Sequence, residues 1–290
     1  MTTDLPARAA GTLDLGELTV TRMGFGAMRI TGDGVWGDPP DRAAAIAVLR
    51  RAVELGVDFI DTADSYGPFV SEELIREALH TGGSDPYDGV TIATKAGFVR
   101  PRPGEWVVVG RPAYLRAACE MSLRRLGLER IELFQLHRID PEVALEDQLG
   151  ELKALQDEGK IRYIGLSEID AAQLAEARRH VEVVSVQNRY NLLDRGSQPV
   201  LDACTEAEIA FIPWFPVAVG KLAQAGGPLD ALAAATGATP VQLALAWLLQ
   251  RSPMMLPIPG TCSVAHLEEN VGASDLGLTD AQMSQLEDLN

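Results

Sequence analysis

The feature that most constrains this chain is a repeated alternation. Short apolar runs of strand length are followed, again and again, by stretches with helical spacing. Strand-like runs end at Asp61, Lys95 and His137, and recur over 163–167, 183–187, 210–215 and 255–258. Between them lie helix signals. Asp41 can cap a helix whose face carries Ile46, Leu49 and Val53 and which Gly56 stops. Residues 71–79 read as a helix with Glu72 and Glu73 in the first turn, where the helix dipole favours carboxylates. Another starts near Pro112. Asp140-Pro141 reads as a helix start, with Leu145, Leu149, Leu152 and Leu155 as the buried stripe and Gly159 as the stop. Further helices are predicted from Asp170, near 199–207, and over 229–236, 240–251 and 264–271. Thr279-Asp280-Ala281-Gln282 reads as a capping box opening a last one.

Strands separated by helices must pair in parallel through right-handed crossovers. Eight such units predict an α/β fold, a single (β/α)8 TIM barrel, with an N-terminal β-hairpin over 12–21 and a C-terminal helix. Weak internal echoes agree: Leu55-Gly56-Val57-Asp58-Phe59-Ile60 resembles Ala207-Glu208-Ile209-Ala210-Phe211-Ile212. No Pro/Ser-rich linker divides the 290 residues, so one domain over 1–290 is expected, with 1–11 flexible.

Charge narrows the partners. With 25 basic and 41 acidic residues the formal net charge is −16, which repels phosphate backbones and argues against nucleic acid. Three widely spaced cysteines suggest reduced thiols. No apolar signal core or bilayer-length run is present, so a cytoplasmic protein without membrane association is expected, its partner a small molecule. The oligomeric state is not legible. The four histidines show no metal-ligand spacing, and no nucleophile elbow, HExxH or Walker motif occurs. The Gly-x-Gly of Met23-Gly24-Phe25-Gly26-Ala27-Met28 lacks the third glycine of a dinucleotide fingerprint, because position 29 is Arg.

Three consecutive strand ends carry polar residues: Asp61 with Tyr66 five residues on, Lys95, and His137. Singly, a Lys after a strand is a solvated residue and a His after an apolar run is a satisfied structural one. In a barrel these groups meet at one mouth. A Tyr has an ordinary pKa of about 10, so a nearby ammonium is expected to bring its phenol toward neutrality. Asp61 would be the counter-ion of Lys95, and His137 would orient and polarise a carbonyl oxygen. The set suits protonation of a developing alkoxide by Tyr66. It has no hydride source of its own, so a nicotinamide cofactor is implied.

The chain resembles the aldo-keto reductases from Gly16 to Asn270. The likeness rests on Phe59-Ile60-Asp61-Thr62-Ala63-Asp64-Ser65-Tyr66-Gly67, Gly159-Lys160-Ile161-Arg162-Tyr163-Ile164-Gly165-Leu166-Ser167, Gln187-Asn188-Arg189-Tyr190-Asn191 and Ile258-Pro259-Gly260-Thr261. It implies a catalytic tetrad of Asp61, Tyr66, Lys95 and His137 and an NADPH cofactor in preference to NADH. Ser167 and Gln187 would hold the carboxamide and Trp214 would stack on the nicotinamide. Phe215, Pro216, Val217 and Lys221 would line the pyrophosphate. Gly260, Thr261, His266, Glu269 and Asn270 would take the adenosine end, with Gly26, Ala27, Met28 and Asp61 also against the cofactor. Glu168 stands where many members have Asn, Gly260 where many have Lys, and His266 where many have Arg. Trp36, Phe98, Trp106 and Arg138, with Tyr66 and His137, are candidates for the substrate pocket. Each of the four could equally be loop packing. The chain stops at Asn290 just after the last helix, so an open pocket is expected. Among short-tailed bacterial members the likeness is to pyridoxal reductases and pyridoxine dehydrogenases. The implied activity is reduction of an aldehyde or ketone. Two rivals are a nicotinamide-binding module on the same fold with little turnover, and an isomerase or lyase using Tyr66 as a base.

Overall fold

The computed structural model describes residues 5–217 and 229–289. A β-hairpin, β1 (Thr12–Leu15) and β2 (Leu18–Thr21), precedes the short strand β3 (Phe25–Gly26). Then follow α1 (Arg42–Glu54), β4 (Phe59–Asp61), α2 (Val70–Leu79) and β5 (Thr91–Ala96). A second small hairpin, β6 (Phe98–Val99) and β7 (Val107–Val108), leads to α3 (Pro112–Leu126) and β8 (Ile131–Leu136). Next come α4 (Leu145–Asp157), β9 (Ile161–Ser167), α5 (Ala171–Ala177), β10 (Val183–Arg189), α6 (Gln198–Glu206) and β11 (Ala210–Trp214). The helices α7 (Asp230–Thr236), α8 (Pro240–Arg251), α9 (Val264–Val271) and α10 (Asp280–Glu287) complete the described chain.

Seven strands form one parallel sheet in the order β11-β10-β9-β8-β5-β4-β3. Segment 255–258, expected as an eighth strand, pairs through a single bridge at Phe211–Met255. Its backbone, with Met254 before it, nevertheless reaches both outer strands' ends. Phe211 N–H donates to Met254 O (2.8 Å), Leu256 N–H to Phe211 O (2.9 Å), and Gly24 N–H to Pro257 O (3.0 Å). Pro257 and Pro259 lack N–H groups, which denies this segment a regular ladder.

The two faces of the sheet build two cores. One, with Ile60, Ile92, Phe134, Ile164, Val186 and Phe211, packs against the helices. The other gathers Phe59, Ala93, Leu133, Tyr163, Ala210 and Ile212 with Leu256 and Ile258, and the hairpin closes it with Leu13, Leu15 and Val20. The hairpin therefore stoppers the end of the sheet away from the polar strand ends.

Local differences from the expected pattern have identifiable causes. In α1 the buried face is Ala45, Val48, Leu49 and Ala52, and Ile46 and Val53 flank it. Two alanines let that helix face pack closely. α4 starts at Leu145, not at Asp140-Pro141. Asp140 instead accepts from Gly110 N–H and Glu142 N–H, and the Gln148 side chain bonds Asp140 N–H, Asp140 O and Val143 O. Those bonds hold 140–143 as a turn. Pro6–Ala10 is a 3-10 turn in which Ala7 is buried and donates to Leu55 O. No single helix among the described residues is long and apolar enough to cross a membrane.

Candidate active site

Strand periodicity puts the polar residues on the hairpin-facing side. Phe59 and Asp61, Ala93 and Lys95, Leu133, Gln135 and His137, Tyr163 and Ser167, and Ile212 and Trp214 fall on one face at steps of two. The apolar layer thus gives way to a polar layer at the C-terminal ends of the strands. Gly165 occupies the register position beside Gln135. A Cβ there would lie 2.3 Å from Ser185 Oγ and 2.8 Å from Gln135 Cγ, so the glycine makes room for the polar layer.

Lys95 is fully buried, and its Nζ donates to Asp61 Oδ2 (2.5 Å) and Thr62 O (2.8 Å). Burial lowers the Lys95 pKa and the Asp61 carboxylate opposes that shift. An unpartnered ammonium here would be prohibitive. The other Asp61 oxygen accepts from Gln135 Nε2 (3.0 Å) and Gln187 Nε2 (2.8 Å). Gln135 carries no family signal, yet its place two residues before His137, which directly follows the same strand, marks it as facing the same way.

Tyr66 lies with its ring centroid 5.2 Å from Lys95 Nζ and 5.9 Å from the His137 ring, edge to face. The four residues read as a tetrad are therefore brought together. Burial first, then the Asp61 carboxylate, raises the Tyr66 pKa well above its ordinary value, although Arg138 opposes this. This corrects the expectation that Lys95 would bring the phenol toward neutrality. The Lys95 charge is already engaged by Asp61, so Tyr66 holds its proton. Burial, together with the Lys95 and Arg138 cations, pushes His137 well below the ordinary imidazole range, so the ring is neutral. Its Nδ1 sits 3.4 Å from Ser65 Oγ.

The other expected site residues divide. Ser167, Gln187 and Trp214 stand at the ends of β9, β10 and β11 on the polar layer. Gln187, however, spends its amide N–H on Asp61, leaving Oε1 as its acceptor. Ser167 Oγ accepts from Arg138 Nη1 (3.1 Å) and keeps its own hydrogen to donate. Glu168, at φ 55°, turns to Trp214: its Oε1 accepts from the indole Nε1 (2.5 Å) and from Arg189 N–H (2.6 Å). Here the Asn-to-Glu departure orients the aromatic ring. Phe215 is also left-handed (φ 62°), Pro216 is buried and Val217 half-buried; Lys221 lies outside the described residues.

Gly26 and Gly260 meet backbone to backbone. A Cβ on Gly260 would lie 2.3 Å from Gly26 O, and one on Gly26 2.6 Å from Ile258 O. Gly260 is thus a packing requirement of this chain, and no side chain can project from it without moving β3. Ala27 O and Met28 O accept from Ser71 Oγ and Thr31 Oγ1. Thr261 and Asn270 are buried, His266 is exposed in the first turn of α9, and Glu269 O accepts from Gln242 Nε2. Arg138 Nη1 also holds His137 O (2.6 Å), while Phe98 packs on His137 (4.8 Å) and Trp106 on Phe98 (5.3 Å). Trp36 is joined to Gly67 by an isolated bridge. Sequence reading missed Arg100, which is buried among these aromatic residues. No periodicity or motif singles it out.

A half-buried indole, a serine hydroxyl free to donate and a glutamine oxygen free to accept form a donor set that fits a nicotinamide with its carboxamide. Fold and site together define an oxidoreductase class, and the chain belongs to the aldo/keto reductase family, whose model matches residues 22–290. It is 52% identical over 282 residues to an uncharacterized oxidoreductase of Schizosaccharomyces pombe, covering 97% of this chain and 90% of that one. It is 43% identical to the pyridoxine 4-dehydrogenase of Escherichia coli, covering 97% and 99%. A solved aldo/keto reductase from Klebsiella pneumoniae, in complex with NADP and acetate, superposes with a TM-score of 0.81 at 27% identity, covering 96% of this chain and 94% of that one.

Proposed function

We propose that this protein is an NADPH-dependent reductase of an aldehyde or ketone, with Tyr66 as general acid. The observation that carries the reading is the buried Tyr66 phenol set beside the Lys95–Asp61 pair and the His137 ring. Bound reduced nicotinamide supplies the hydride. Ser167 would donate to its carboxamide, Gln187 would accept from it, and Trp214, held by Glu168, would flank the ring. Thr261, His266 and Asn270 would hold the adenosine end. Neutral His137 donates one N–H to the carbonyl oxygen and orients it. As negative charge develops there, Tyr66 gives up its proton, and the Lys95 ammonium stabilises the phenolate left behind. Asp61 holds Lys95 in place, and Gln135 and Gln187 hold Asp61.

The NADP-bound Klebsiella structure supports the cofactor, and the Escherichia coli relative supports a small-molecule alcohol–aldehyde pair. The 254–258 backbone bonds to both edges of the sheet support a closed (β/α)8 barrel formed by one domain. The charge of −16 and the free cysteines, two of them buried, support a cytoplasmic enzyme that engages neither nucleic acid nor membrane.

The test is a panel of aldehydes, ketones and pyridoxal, read as loss of reduced-nicotinamide absorbance, alongside melting with and without NADPH. NADPH is expected to raise the melting temperature and at least one carbonyl to be turned over. Stabilisation without turnover of any carbonyl would favour the binding-module reading, and no stabilisation would overturn the cofactor site.

A further inference from the structure

Arg100 is only 7% exposed and forms no ion pair among the described residues. A buried cation without a carboxylate is costly unless its donors are satisfied. Four of its N–H groups go to backbone carbonyls: Nε to Glu105 O (3.0 Å), Nη1 to Val35 O (3.0 Å) and Ser65 O (3.1 Å), and Nη2 to Gly34 O (3.3 Å). Those carbonyls belong to three separate segments: the loop after β3, the turn that carries Tyr66, and the β6–β7 hairpin. Its guanidinium lies 3.6 Å from the Trp106 ring centroid and 5.5 Å from that of Trp36. Only a planar fork can serve carbonyls in several directions while lying against indole rings.

The three segments it joins are those that carry the aromatic side chains beside the tetrad. Tyr66, His137, Phe98 and Trp106 form an unbroken series of edge-to-face contacts at 5.9, 4.8 and 5.3 Å. The Trp36 loop is tied to the residue after Tyr66: Gly37 N–H donates to Gly67 O (2.6 Å) and Gly67 N–H to Val35 O (3.3 Å). Val35 itself is held at φ 58°, a left-handed conformation that a β-branched residue rarely adopts. Its carbonyl is one of the four that Arg100 grips. Strain of this kind persists only where surrounding bonds over-determine it.

We propose that Arg100 is a positioning residue that fixes the ring series beside Tyr66 as a slot for planar aromatic carbonyl compounds. The proposal rests on the carbonyl-reductase reading and gives it a substrate class. Aromatic substrates gain offset and edge contacts from rings held in place, whereas small aliphatic aldehydes need only Tyr66 and His137.

The test compares Arg100→Lys, which keeps the charge and loses the fork, with the wild type on benzaldehyde, pyridine-4-carbaldehyde and propanal. The ratio of kcat/KM for aromatic over aliphatic aldehyde is expected to fall about tenfold, mainly through KM for the aromatic substrates. Equal losses on both classes in a variant whose circular dichroism and melting match the wild type, or no change, would overturn the proposal. A general loss of folding would lower both classes together and would not move this ratio. Should the Arg100 variant fail to fold, Trp106→Leu removes an exposed ring and leaves the guanidinium bonds in place. It is expected to lower the same ratio, and an unchanged ratio overturns the slot. Wild-type enzyme inert toward every aldehyde would instead sink the reductase reading. The slot is then judged by quenching of tryptophan emission by benzyl alcohol, expected in the wild type and weakened in Trp106→Leu; no quenching in the wild type overturns it.

Discussion

Tyr66 shows how two neighbours with opposite charge act on one group at different moments. In this structure burial and Asp61 keep its proton on, because the Lys95 ammonium is matched by Asp61 at 2.5 Å. During carbonyl reduction the proton leaves, and the same ammonium faces a phenolate. Tyr66→Phe keeps the ring and its packing on His137. Turnover is expected to fall by about 10²–10⁴, the usual worth of a positioned acid, with the NADPH-induced rise in melting temperature retained. A folded, cofactor-bound Tyr66→Phe that reduces aldehydes at the wild-type rate would move the acid role to His137. The raised phenol pKa also sets a sign. The acid form persists as pH rises, so the alkaline limb of kcat/KM for reduction is expected above the ordinary phenol value of about 10.

At the scale of elements, the site depends on supports behind it. On α2, Glu72 is fully buried, with Oε1 accepting from Thr94 Oγ1 (2.6 Å) beside Lys95 and Oε2 paired with Arg125 of α3 at 2.6 Å. Asp64, three residues after Asp61, is buried near both. Burial raises its pKa well above the usual carboxylate range, Glu72 adds to the rise and Arg125 opposes it. Sequence reading assigned Glu72 to the helix dipole; packing assigned it to a buried ion pair. Arg125→Met is expected to destabilise the protein by about 3–5 kcal/mol, because Glu72 is left as an uncompensated buried charge. Adding Glu72→Gln to that variant should recover part of the loss. Denaturant unfolding of the single and double variants checks this, and a single-variant cost near zero would mean that Glu72 is neutral in the fold.

Over the whole molecule, 41 acidic residues against 25 basic ones leave a surface that repels itself, and many ion pairs among the described residues are solvent-exposed. Exposed pairs contribute little and are screened by salt, but so is the repulsion among the excess carboxylates. The repulsion is the larger quantity at a net charge of −16. Melting temperature is therefore expected to rise by a few degrees between roughly 0.02 and 0.2 M KCl. A fall over that range would show that the ion pairs dominate.

Much of this architecture is local, and the sequence by itself determined it. Alternating apolar runs and capped helices placed β4, β5, β8 through β11 and α1 through α10 within a few residues, since periodicity and caps act over one or two turns, but left the β6–β7 hairpin unmarked. The Asp170, Thr239 and Thr279 capping boxes are such local devices. So are the positions of Asp61, Lys95 and His137, each fixed by the strand end that carries or precedes it, and of Tyr66 in the turn that follows β4. What only the tertiary structure decided depends on who the neighbour is. Asp140 became a turn because Gln148 and Gly110 reached it. Segment 254–258 made only a bridge because its prolines lack donors. Glu168 turned to an indole 46 residues away in sequence. Gly260 faced Gly26 across the sheet, and Arg100 found four carbonyls on three segments. A sequence states the chemistry of each side chain; burial, partner and charge balance arise only when distant parts of the chain share one small, poorly solvated volume.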